Sequence, residues 1–286
     1  MALYRLTEQE GLVDPVIVAA FDGWVDAGSA ATAAAKQLAG RSRIVVEFDG
    51  DQLFDYRARR PTLEIQDGKP ERLTWPTLTI RRRRVGDRDV LVLTGAEPDF
   101  KWRRFAADLV EIAKKLGVAE WISLGAIPAA VPHTRPVPIL GTASRPGLLR
   151  GDVRPGPDGL LRVPAACISV IDVAVSRAGI PAVGYFAQIP HYVSGEYPGA
   201  AAELLRAVGR HLGFEPSLGD LPEEALTLRT RLDTAATLDE ATRNYVQRLE
   251  GMVDESRLPV GDDLIADIER FLRDRGTELG GGGRPN

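Results

Sequence analysis

The sequence predicts an α/β fold in which helices cover a mostly parallel sheet. Four apolar runs are each long enough for a strand, and each stops at a segment rich in Gly, Pro and polar residues. Near-continuous apolar runs are typical of strands buried on both faces, as parallel strands are beneath covering helices. Segments with apolar residues at helical spacing separate these runs. The four runs are residues 16–21, 90–93, 121–124 and 182–187.

The helices predicted between these strands carry start and stop signals. Asp26 or Ser29 can cap the first helix, and Gly40 ends it. Residues 168–178 are ambiguous, because their β-branched side chains favour a strand while their apolar positions fall on one helical face. We predict a helix there. The other elements are a helix at 27–39, a strand at 43–48, a hairpin or excursion from the sheet at 63–85, and helices at 101–116 and 197–212.

Two regions depart from this alternation. Residues 128–164 are rich in Pro and Gly, which predicts a long loop with a short strand at 136–141, and such loops are usually functional or mobile. After about Pro216 the pattern becomes helical, with a capping box at 237–240 beginning one helix and a second helix at 263–275. The predicted domains are an α/β core over 1–216, a helical appendage over 217–276 and a disordered tail over 277–286.

Composition excludes several classes of partner. The chain has 286 residues, 44% of them hydrophobic, and a net charge of −4, which gives no general attraction to nucleic acid or to anionic membranes. The single Cys167 excludes an internal disulfide and fits a reducing compartment, and its apolar surroundings predict a buried packing residue. No leader of basic and then apolar residues begins the chain, and no apolar stretch approaches the length of a bilayer span. We therefore expect a cytoplasmic protein.

Sequence motifs for common cofactors are missing. There is no Walker-type phosphate loop, dinucleotide fingerprint, His-Glu-x-x-His pair or nucleophile elbow. His133 and His191 each follow a Pro near a strand end, but a metal site would need a third well-placed ligand, and no spacing of ligands supports one. We expect neither a cofactor nor a bound metal.

The best candidate site lies where the four runs end. In a parallel sheet the carboxyl ends of the strands meet at one edge, and ligands bind there. Distant segments of the chain should therefore converge. The candidate residues are Asp22, Gly23, Trp24, Asp26, Gly95, Glu97, Gly125, Pro128, His133, Arg135, His191 and Tyr192.

Each part of this candidate site also has a purely structural interpretation. Asp26 can cap the following helix, with Gly23 making a turn and Trp24 a lid over the core. Alternatively, the turn could present backbone amides to an anion, although two carboxylates in the same turn oppose that. Glu97 and Asp99 could line a pocket, or Asp99 could cap the next helix.

Four consecutive arginines, residues 81–84, could suggest a nucleic-acid surface. No aromatic residues are interleaved with them, so a platform for base stacking is not indicated. Charged side chains on an edge strand deter pairing between molecules, and we predict that role here.

The motifs at the strand ends together resemble those of the proteasome assembly chaperone 2 family, in its bacterial, actinobacterial-type branch. They are residues 21–28, 94–99, 125–129, 131–136 and 189–192. The resemblance covers most of residues 1–275. It implies a three-layer αβα core similar to the phosphorylase/hydrolase-like fold, a helical carboxyl-terminal region, and homo-oligomerisation with a trimer as the suggested size. It carries over no catalytic residue, and the last residues, Gly-Gly-Gly-Gly-Arg-Pro-Asn, contain no tail motif for docking to a proteasome.

Two functions remain open from the sequence. The leading hypothesis is a self-associating assembly factor that binds a protein partner, based on the resemblance. The alternative is an enzyme of the nucleoside phosphorylase or hydrolase type, in which a carboxylate or His transfers protons while Arg135 and backbone amides hold an anion. The groups that the alternative would use are Asp22, Asp26, Glu97, His133, Arg135 and His191.

Overall fold

The computed structural model describes residues 3–7, 11–151, 153–156 and 159–255. The strands are β1 (Tyr4–Leu6), β2 (Val16–Asp22), β3 (Arg43–Phe48), β4 (Thr62–Gln66), β5 (Lys69–Thr74), β6 (Leu78–Val85), β7 (Arg88–Ala96), β8 (Glu120–Ala129), β9 (Ile139–Ala143), β10 (Arg154–Pro155) and β11 (Ala182–Pro190). The α-helices are α1 (Ala30–Ala39), α2 (Gly50–Leu53), α3 (Trp102–Lys115), α4 (Cys167–Arg177), α5 (Pro198–Leu212), α6 (Leu221–Leu238) and α7 (Glu240–Asp254).

Four parallel strands form the centre of the main sheet. They stand in the order β7, β2, β8 and β11, and they contain the four apolar runs of the sequence. Near their carboxyl ends Phe21 pairs with Gly95, and Gln188 pairs with Ile127. All four carboxyl ends therefore lie at one edge of the sheet, which we call the rim. The predicted parallel centre is confirmed.

Antiparallel strands extend the sheet on both sides of this centre. β6 and β3 continue the sheet beyond β7, followed by β1 at the outer edge. On the other side β9 pairs antiparallel with β11, and the two-residue β10 pairs parallel with β9. The whole sheet is thus mixed, with its parallel part in the middle. β9 confirms a short strand in the long loop, three residues later than its predicted start.

The four arginines at 81–84 lie in β6, and their predicted position on an edge strand is wrong. β6 lies between β3 and β7 and pairs with both. The arginines are accommodated there because they find internal acceptors. Arg82 Nε lies 2.8 Å from Oδ1 of the buried Asp89, and Arg83 donates to the carbonyl of Leu38 at 2.7 Å.

Helices on both faces of the sheet give the three layers that the family resemblance implies. Successive residues of a strand point to opposite faces. Accordingly Ile17 and Trp121 lie in the core beneath α3 and α4, while Val18 and Ile122 lie in the core beneath α1 and α5. Both cores are fully buried along the central strands.

The helices of the core follow the sequence predictions closely. α3, α4 and α5 lie within a residue or two of their predicted bounds, and the ambiguous segment before Gly179 is helical. The first predicted helix differs at its start, where Ala27–Ser29 form a 3₁₀ turn with Gly28 at φ 62° before α1 begins. A left-handed residue there breaks regular helical geometry, so the chain turns before it enters α1.

β4 and β5 form a two-stranded hairpin separate from the main sheet. The predicted excursion from the sheet at 63–85 is therefore confirmed for its first part, while the last part joins the sheet as β6. Every residue of β4 and β5 is exposed. An isolated two-stranded hairpin is only marginally stable in water, so a hairpin that is exposed along its whole length is unusual.

The carboxyl-terminal region contains a helix that the sequence did not predict, α6. The helix predicted behind the capping box is α7, but its cap differs from the prediction. The Asp239 side chain accepts the amide of Thr242 at 3.2 Å, whereas Thr237 lies at the end of α6 and donates to the carbonyl of Asp233 at 2.9 Å. The predicted helix at 263–275 and the predicted tail at 277–286 lie outside the described residues.

None of the helices in the described ranges is both long and apolar enough to cross a membrane.

Candidate functional site

The rim divides into two parts. The turns after β2 and β7 form one part, and the segments after β8 and β11 form the other. The sequence-predicted site residues are found in both parts, and each part uses its polar groups in a different set of internal contacts.

Glu97 connects the first part of the rim to a helix on the sheet face. Its side chain is buried, and Oε2 accepts the amide of Trp24 at 3.0 Å while Oε1 accepts the amide of Cys167 at 2.7 Å. The backbone amide of Glu97 donates to the carbonyl of Asp22 at 3.0 Å. Both carboxylate oxygens thus hold backbone amides, one of them in the first turn of α4.

Two glycines make this arrangement possible. A Cβ atom on Gly23 would lie 2.2 Å from Oε2 of Glu97, so the carboxylate occupies the space that a side chain would need. Gly95 has φ 149°, and a Cβ atom there would lie 2.0 Å from the carbonyl oxygen of Thr77. The glycine-rich turn is therefore required by close packing around Glu97 and β6.

Asp26 caps α1, as the structural interpretation predicted. Its Oδ1 accepts the amides of Ala31 at 2.7 Å and Thr32 at 3.2 Å, and its Oδ2 accepts the Thr32 hydroxyl at 2.5 Å. Burial raises the pKa of Asp26, and these hydrogen bonds oppose the rise. With both oxygens engaged, Asp26 serves the amino terminus of the helix.

Trp24 does not cover the core, and the prediction that it is a lid is wrong. Its side chain is 72% exposed, and Asp22 beside it is also exposed. The recess between Trp24, Glu97 and Leu124 has a volume of about 10 Å³. That is about the space of one water molecule. Asp99 does not cap α3 either, because its Oδ2 accepts the amide of Asp55 at 2.8 Å.

His133 joins the second part of the rim to α6. Its Nδ1 and its backbone amide both lie 2.8 Å from the hydroxyl of Tyr192, and its Nε2 lies 3.2 Å from Oδ1 of Asp233. The Tyr192 hydroxyl accepts the amide and donates to Nδ1, which assigns the ring proton to Nε2, facing Asp233. Burial lowers the pKa of His133, and Asp233 opposes this shift. Burial also raises the pKa of Tyr192.

His191 contacts α7 in a similar way. Its Nδ1 donates to the carbonyl of Ala129 at 3.1 Å, which leaves Nε2 to accept the Tyr245 hydroxyl at 3.3 Å. Ala130, Tyr245 and Leu249 form a small buried cluster beside these rings, separate from the two main cores. Both predicted histidines therefore have protein partners at each ring nitrogen. The described residues contain no group of three side chains placed to hold a metal ion.

Arg135 fastens the end of α7 to the loop after β8. Its Nη1 lies 3.1 Å from Glu250, and its Nη2 lies 3.0 Å from Asp254. The hydroxyl of Thr134 donates to Glu250 as well. These contacts lower the pKa of Asp254 through the hydrogen bond from Arg135. In this part of the rim the polar groups bind α6 and α7 to the core.

The structure thus separates the predicted site into two groups. Asp22, Gly23, Trp24, Asp26, Gly95 and Glu97 lie in the first part of the rim, whereas Pro128, His133, Arg135, His191 and Tyr192 lie in the second part. Gly125 lies between them, with the Phe186 ring 2.5 Å from where its Cβ atom would be. The enzyme alternative needs the acids and histidines in one open pocket. Apart from the exposed Asp22, they are instead engaged in two separate sets of contacts.

The first part of the rim has an exposed apolar surface, which sequence reasoning did not identify. We call it the rim surface, and its large apolar side chains have exposed fractions between 46% and 72%. They are Trp24, Leu63, Ile65, Leu73, Trp75 and Phe100. A signal for it was present in the sequence, since the hairpin carries apolar residues for which no second layer was predicted.

Contacts between neighbouring segments connect the rim surface. The amide of Phe100 donates to the carbonyl of Leu53 at 3.1 Å, so the end of α2 lies against the turn after β7. The rings of Tyr56 and Trp75 meet at 4.6 Å between centroids in an edge-to-face arrangement. Trp75 directly follows the hairpin, in which Leu63 pairs with Leu73 across the two strands. Trp24 lies at the same edge of the sheet, where its amide donates to Glu97 in the turn before Phe100.

Comparisons with known proteins agree on one family. The model of the PAC2 family matches residues 20–236. A proteasome-assembly chaperone homologue of Mycobacterium tuberculosis is 37% identical, with a TM-score of 0.73, over 81% of this chain and 99% of that one. A PAC2 family protein of Streptomyces avermitilis is 34% identical, with a TM-score of 0.70, over 82% of this chain and 100% of that one.

A third solved structure matches over more of the chain. A protein of unknown function from Corynebacterium glutamicum is 26% identical, with a TM-score of 0.81, over 94% of this chain and 99% of that one. The search of curated proteins finds no match.

Proposed function

This chain belongs to the PAC2 family, and on that premise we propose that it is an assembly factor that binds proteasome subunits through its rim surface. The relative from Mycobacterium tuberculosis is described as a proteasome-assembly chaperone homologue. An assembly-factor-like role fits a chain whose strand-end groups are engaged in internal contacts.

The rim surface is the observation that carries this proposal. Burying apolar surface contributes about 25 cal/mol per Å², so six large apolar side chains offer a substantial free energy of association. Aromatic residues are enriched at the energetically dominant positions of protein interfaces. Trp24, Trp75 and Phe100 supply three of them at one edge of the sheet. An exposed apolar region on a globular protein is typical of a protein-binding site.

The charge distribution supports a protein partner over a nucleic acid. The chain has a net charge of −4. The cluster of arginines at 81–84 is turned to internal acceptors, such as Asp89 for Arg82 and the carbonyl of Leu38 for Arg83. Guanidinium groups with protein partners are less available to phosphates.

The proposal includes self-association, with a trimer as the size that the sequence resemblance suggests, and a cytoplasmic location. The exposed apolar side chains of the rim surface can contact a second copy of this chain as well as a proteasome subunit. A single free, buried Cys167 is compatible with a reducing compartment.

Binding to purified proteasome α and β subunits of the source organism tests the proposal. Sedimentation velocity should show a complex with at least one type of subunit. The variants Trp24→Ser, Leu73→Ser and Phe100→Ser should each weaken that complex by about fivefold or more, as expected for interface positions worth over 1 kcal/mol.

Leu238→Ser is the matched control, because Leu238 is 83% exposed at the end of α6 and lies outside the rim surface. It should leave the affinity unchanged. Absence of a complex with either subunit would contradict the proposed partner, and equal affinity of all four variants would contradict the proposed surface. Sedimentation equilibrium of the chain alone tests self-association, and a monomer at micromolar concentration would refute it.

A further inference from the structure

A cleft lies between α4 and the side of the sheet formed by β9 and β11, away from the rim surface. α4 packs on β2, β8 and β11, whereas α5, which contacts β9, lies on the opposite face of the sheet. The cleft has a volume of about 290 Å³. Its lining combines hydroxyl groups, one carboxyl group, one guanidinium group and small apolar side chains, from Thr142, Ser144, Asp172, Val173, Ser176, Arg177 and Ala182.

Asp172 provides the carboxyl group of this cleft. Its Oδ1 accepts the hydroxyl of Ser123 at 2.5 Å, and Ser123 Oγ in turn accepts Nε1 of Trp121 at 2.9 Å. Ser123 and Trp121 are fully buried beneath the cleft. The chain of hydrogen bonds runs from the core outward and ends at the carboxyl group. These hydrogen bonds hold the side chain of Asp172, on α4, against β8.

Asp172 has a neutral hydrogen-bond donor but no cationic partner in the part of the chain that the structure describes. Arg177 is the charged group that shares the cleft, one and a half turns further along α4, and it forms no ion pair with Asp172. β8, β9 and β11 contribute no titratable side chain to the lining. Burial raises the pKa of Asp172 to about 7, and the hydrogen bonds from Ser123 and Trp121 oppose the rise. A carboxylate in this setting gains much from a cation that enters the cleft.

We propose that this cleft binds the primary ammonium group of a small molecule, with the carboxylate of Asp172 as the counter-ion. An ammonium group has three donors and no acceptor. The hydroxyls of Thr142 and Ser176 can accept two of its hydrogen bonds beside the carboxylate. Val173 and Ala182 provide an apolar wall for a short alkyl chain.

The composition of the cleft favours an organic cation over a metal ion. Ca²⁺ takes six to eight oxygen ligands and usually more than one carboxylate. The described lining has a single carboxyl group, and no group of three metal-ligating side chains occurs among the described residues. The volume of about 290 Å³ is at the lower end of small-molecule sites, which suits an amine of a few carbon atoms.

Titration with butylammonium chloride at constant ionic strength tests this site, with 1-butanol as the neutral probe of the same size. NMR spectra of the full chain should show saturable changes in chemical shift near Asp172 on adding butylammonium. The changes on adding 1-butanol should indicate much weaker binding. Asp172→Asn keeps an acceptor for Ser123 and removes the charge, so it should weaken butylammonium binding by at least about tenfold.

Arg177→Gln is the matched control, because it removes the other charge of the same cleft. It should leave butylammonium affinity equal or stronger. The proposal is overturned if butanol binds as well as butylammonium, if Asp172→Asn retains the affinity, or if Arg177→Gln abolishes it, since removing a positive charge cannot weaken a cation held by Asp172.

The pH dependence tests the wild-type protein without any substitution. Butylammonium stays protonated between pH 6 and pH 8, whereas a carboxyl group with a pKa of about 7 changes from mostly neutral to mostly ionised. Affinity for butylammonium should therefore rise about tenfold across this range, and the small affinity for 1-butanol should stay constant. A fall in butylammonium affinity from pH 6 to pH 8 would refute Asp172 as the counter-ion. This inference is independent of the rim surface, so it can fail without affecting the proposed assembly role.

Discussion

The carboxylate of Glu97 accepts the backbone amide of Cys167 at 2.7 Å, across 70 residues of sequence. Glu97 follows a central strand, and Cys167 begins α4, so this contact holds the start of a covering helix against the rim. The second oxygen of the same carboxylate holds the amide of Trp24. A residue that could have lined a catalytic pocket therefore organises the turn that presents Trp24 to solvent.

Glycine at position 23 should be necessary for this contact. Gly23→Ala places a methyl group where Oε2 of Glu97 lies, 2.2 Å from the new carbon. Displacing the carboxylate leaves buried amides without acceptors, which costs about 1–3 kcal/mol of unfolding free energy. Urea denaturation measures the loss.

The control is Gly251→Ala in α7, where no atom lies within 4 Å of the added carbon and alanine is the better helix former. It should be neutral or stabilising. Gly23→Ala should also cost less in a Glu97→Ala background, since no carboxylate is left to displace and only Cβ of residue 97, at 2.6 Å, still crowds the methyl group. Full additivity of the two substitutions would contradict the mechanism.

Arg135 should determine how firmly α7 is held. Arg135→Ala removes the ion pairs to Glu250 and Asp254. Because much of the network is exposed, we expect a small loss of local stability, seen as hydrogen exchange of the α7 amides that is faster by a few fold. Exchange of the central strands should not change. Arg231→Ala, on α6, is the control, and equal acceleration of α7 by both substitutions would contradict the role of Arg135.

His133 should make stability depend on pH in weakly acidic solution. Burial lowers its pKa in the folded chain below the unfolded value of about 6.5, so the unfolded state binds a proton first as the pH falls. Stability should therefore decrease below about pH 6.5, with a limiting slope on the order of 1.4 kcal/mol per pH unit. His133→Gln should flatten this dependence. Unfolding free energies from pH 7.5 to pH 5 test it, and identical slopes in both proteins would exclude this explanation.

Asp172 should have the opposite effect on stability. Its pKa is raised to about 7 in the folded chain, so the folded state binds a proton first as the pH falls. Its contribution is present in full at low pH and is lost as the pH rises from about 4 to about 7. Asp172→Asn should therefore be more stable than the wild type at pH 8, by on the order of 1–2 kcal/mol after relaxation of the site. A variant that is equally stable at pH 4 and less stable at pH 8 would show that the charge is stabilising.

The centre of the fold could be predicted from the sequence because its signals are local. Runs such as 16–21 and 182–187 are apolar without interruption, and only burial on both faces explains that pattern. The edges of the sheet were harder to predict. The arginines at 81–84 indicated an exposed edge, but their acceptors, including Asp89, become visible only when β6 pairs with β7.

The helix α6 was missed because its apolar stripe is thin. Ala236 is its one buried residue in the described structure, and Leu226 and Leu238 are exposed. A helix that covers an edge of the core instead of entering it lacks the periodic signal that identified α3.

The sequence indicated where the candidate residues lie, but it did not indicate which groups they contact. The sequence placed Glu97, His133 and His191 after the ends of the central strands, and in the structure they lie there. Their partners could not be predicted, because Cys167, Asp233 and Tyr245 are distant in sequence and come together only through the helices that cover the sheet. Asp172 was missed for the same reason, since its environment depends on Ser123 in a different element.

Hydrogen exchange of the chain, with and without bound proteasome subunits, tests most directly that the rim surface is the binding site. Amides in the hairpin 62–74 and in the turns next to Trp24 and Phe100 should exchange slowly in the complex, while α6 and α7 keep their rates. Protection confined to α6 and α7, or no protection anywhere, would contradict the account.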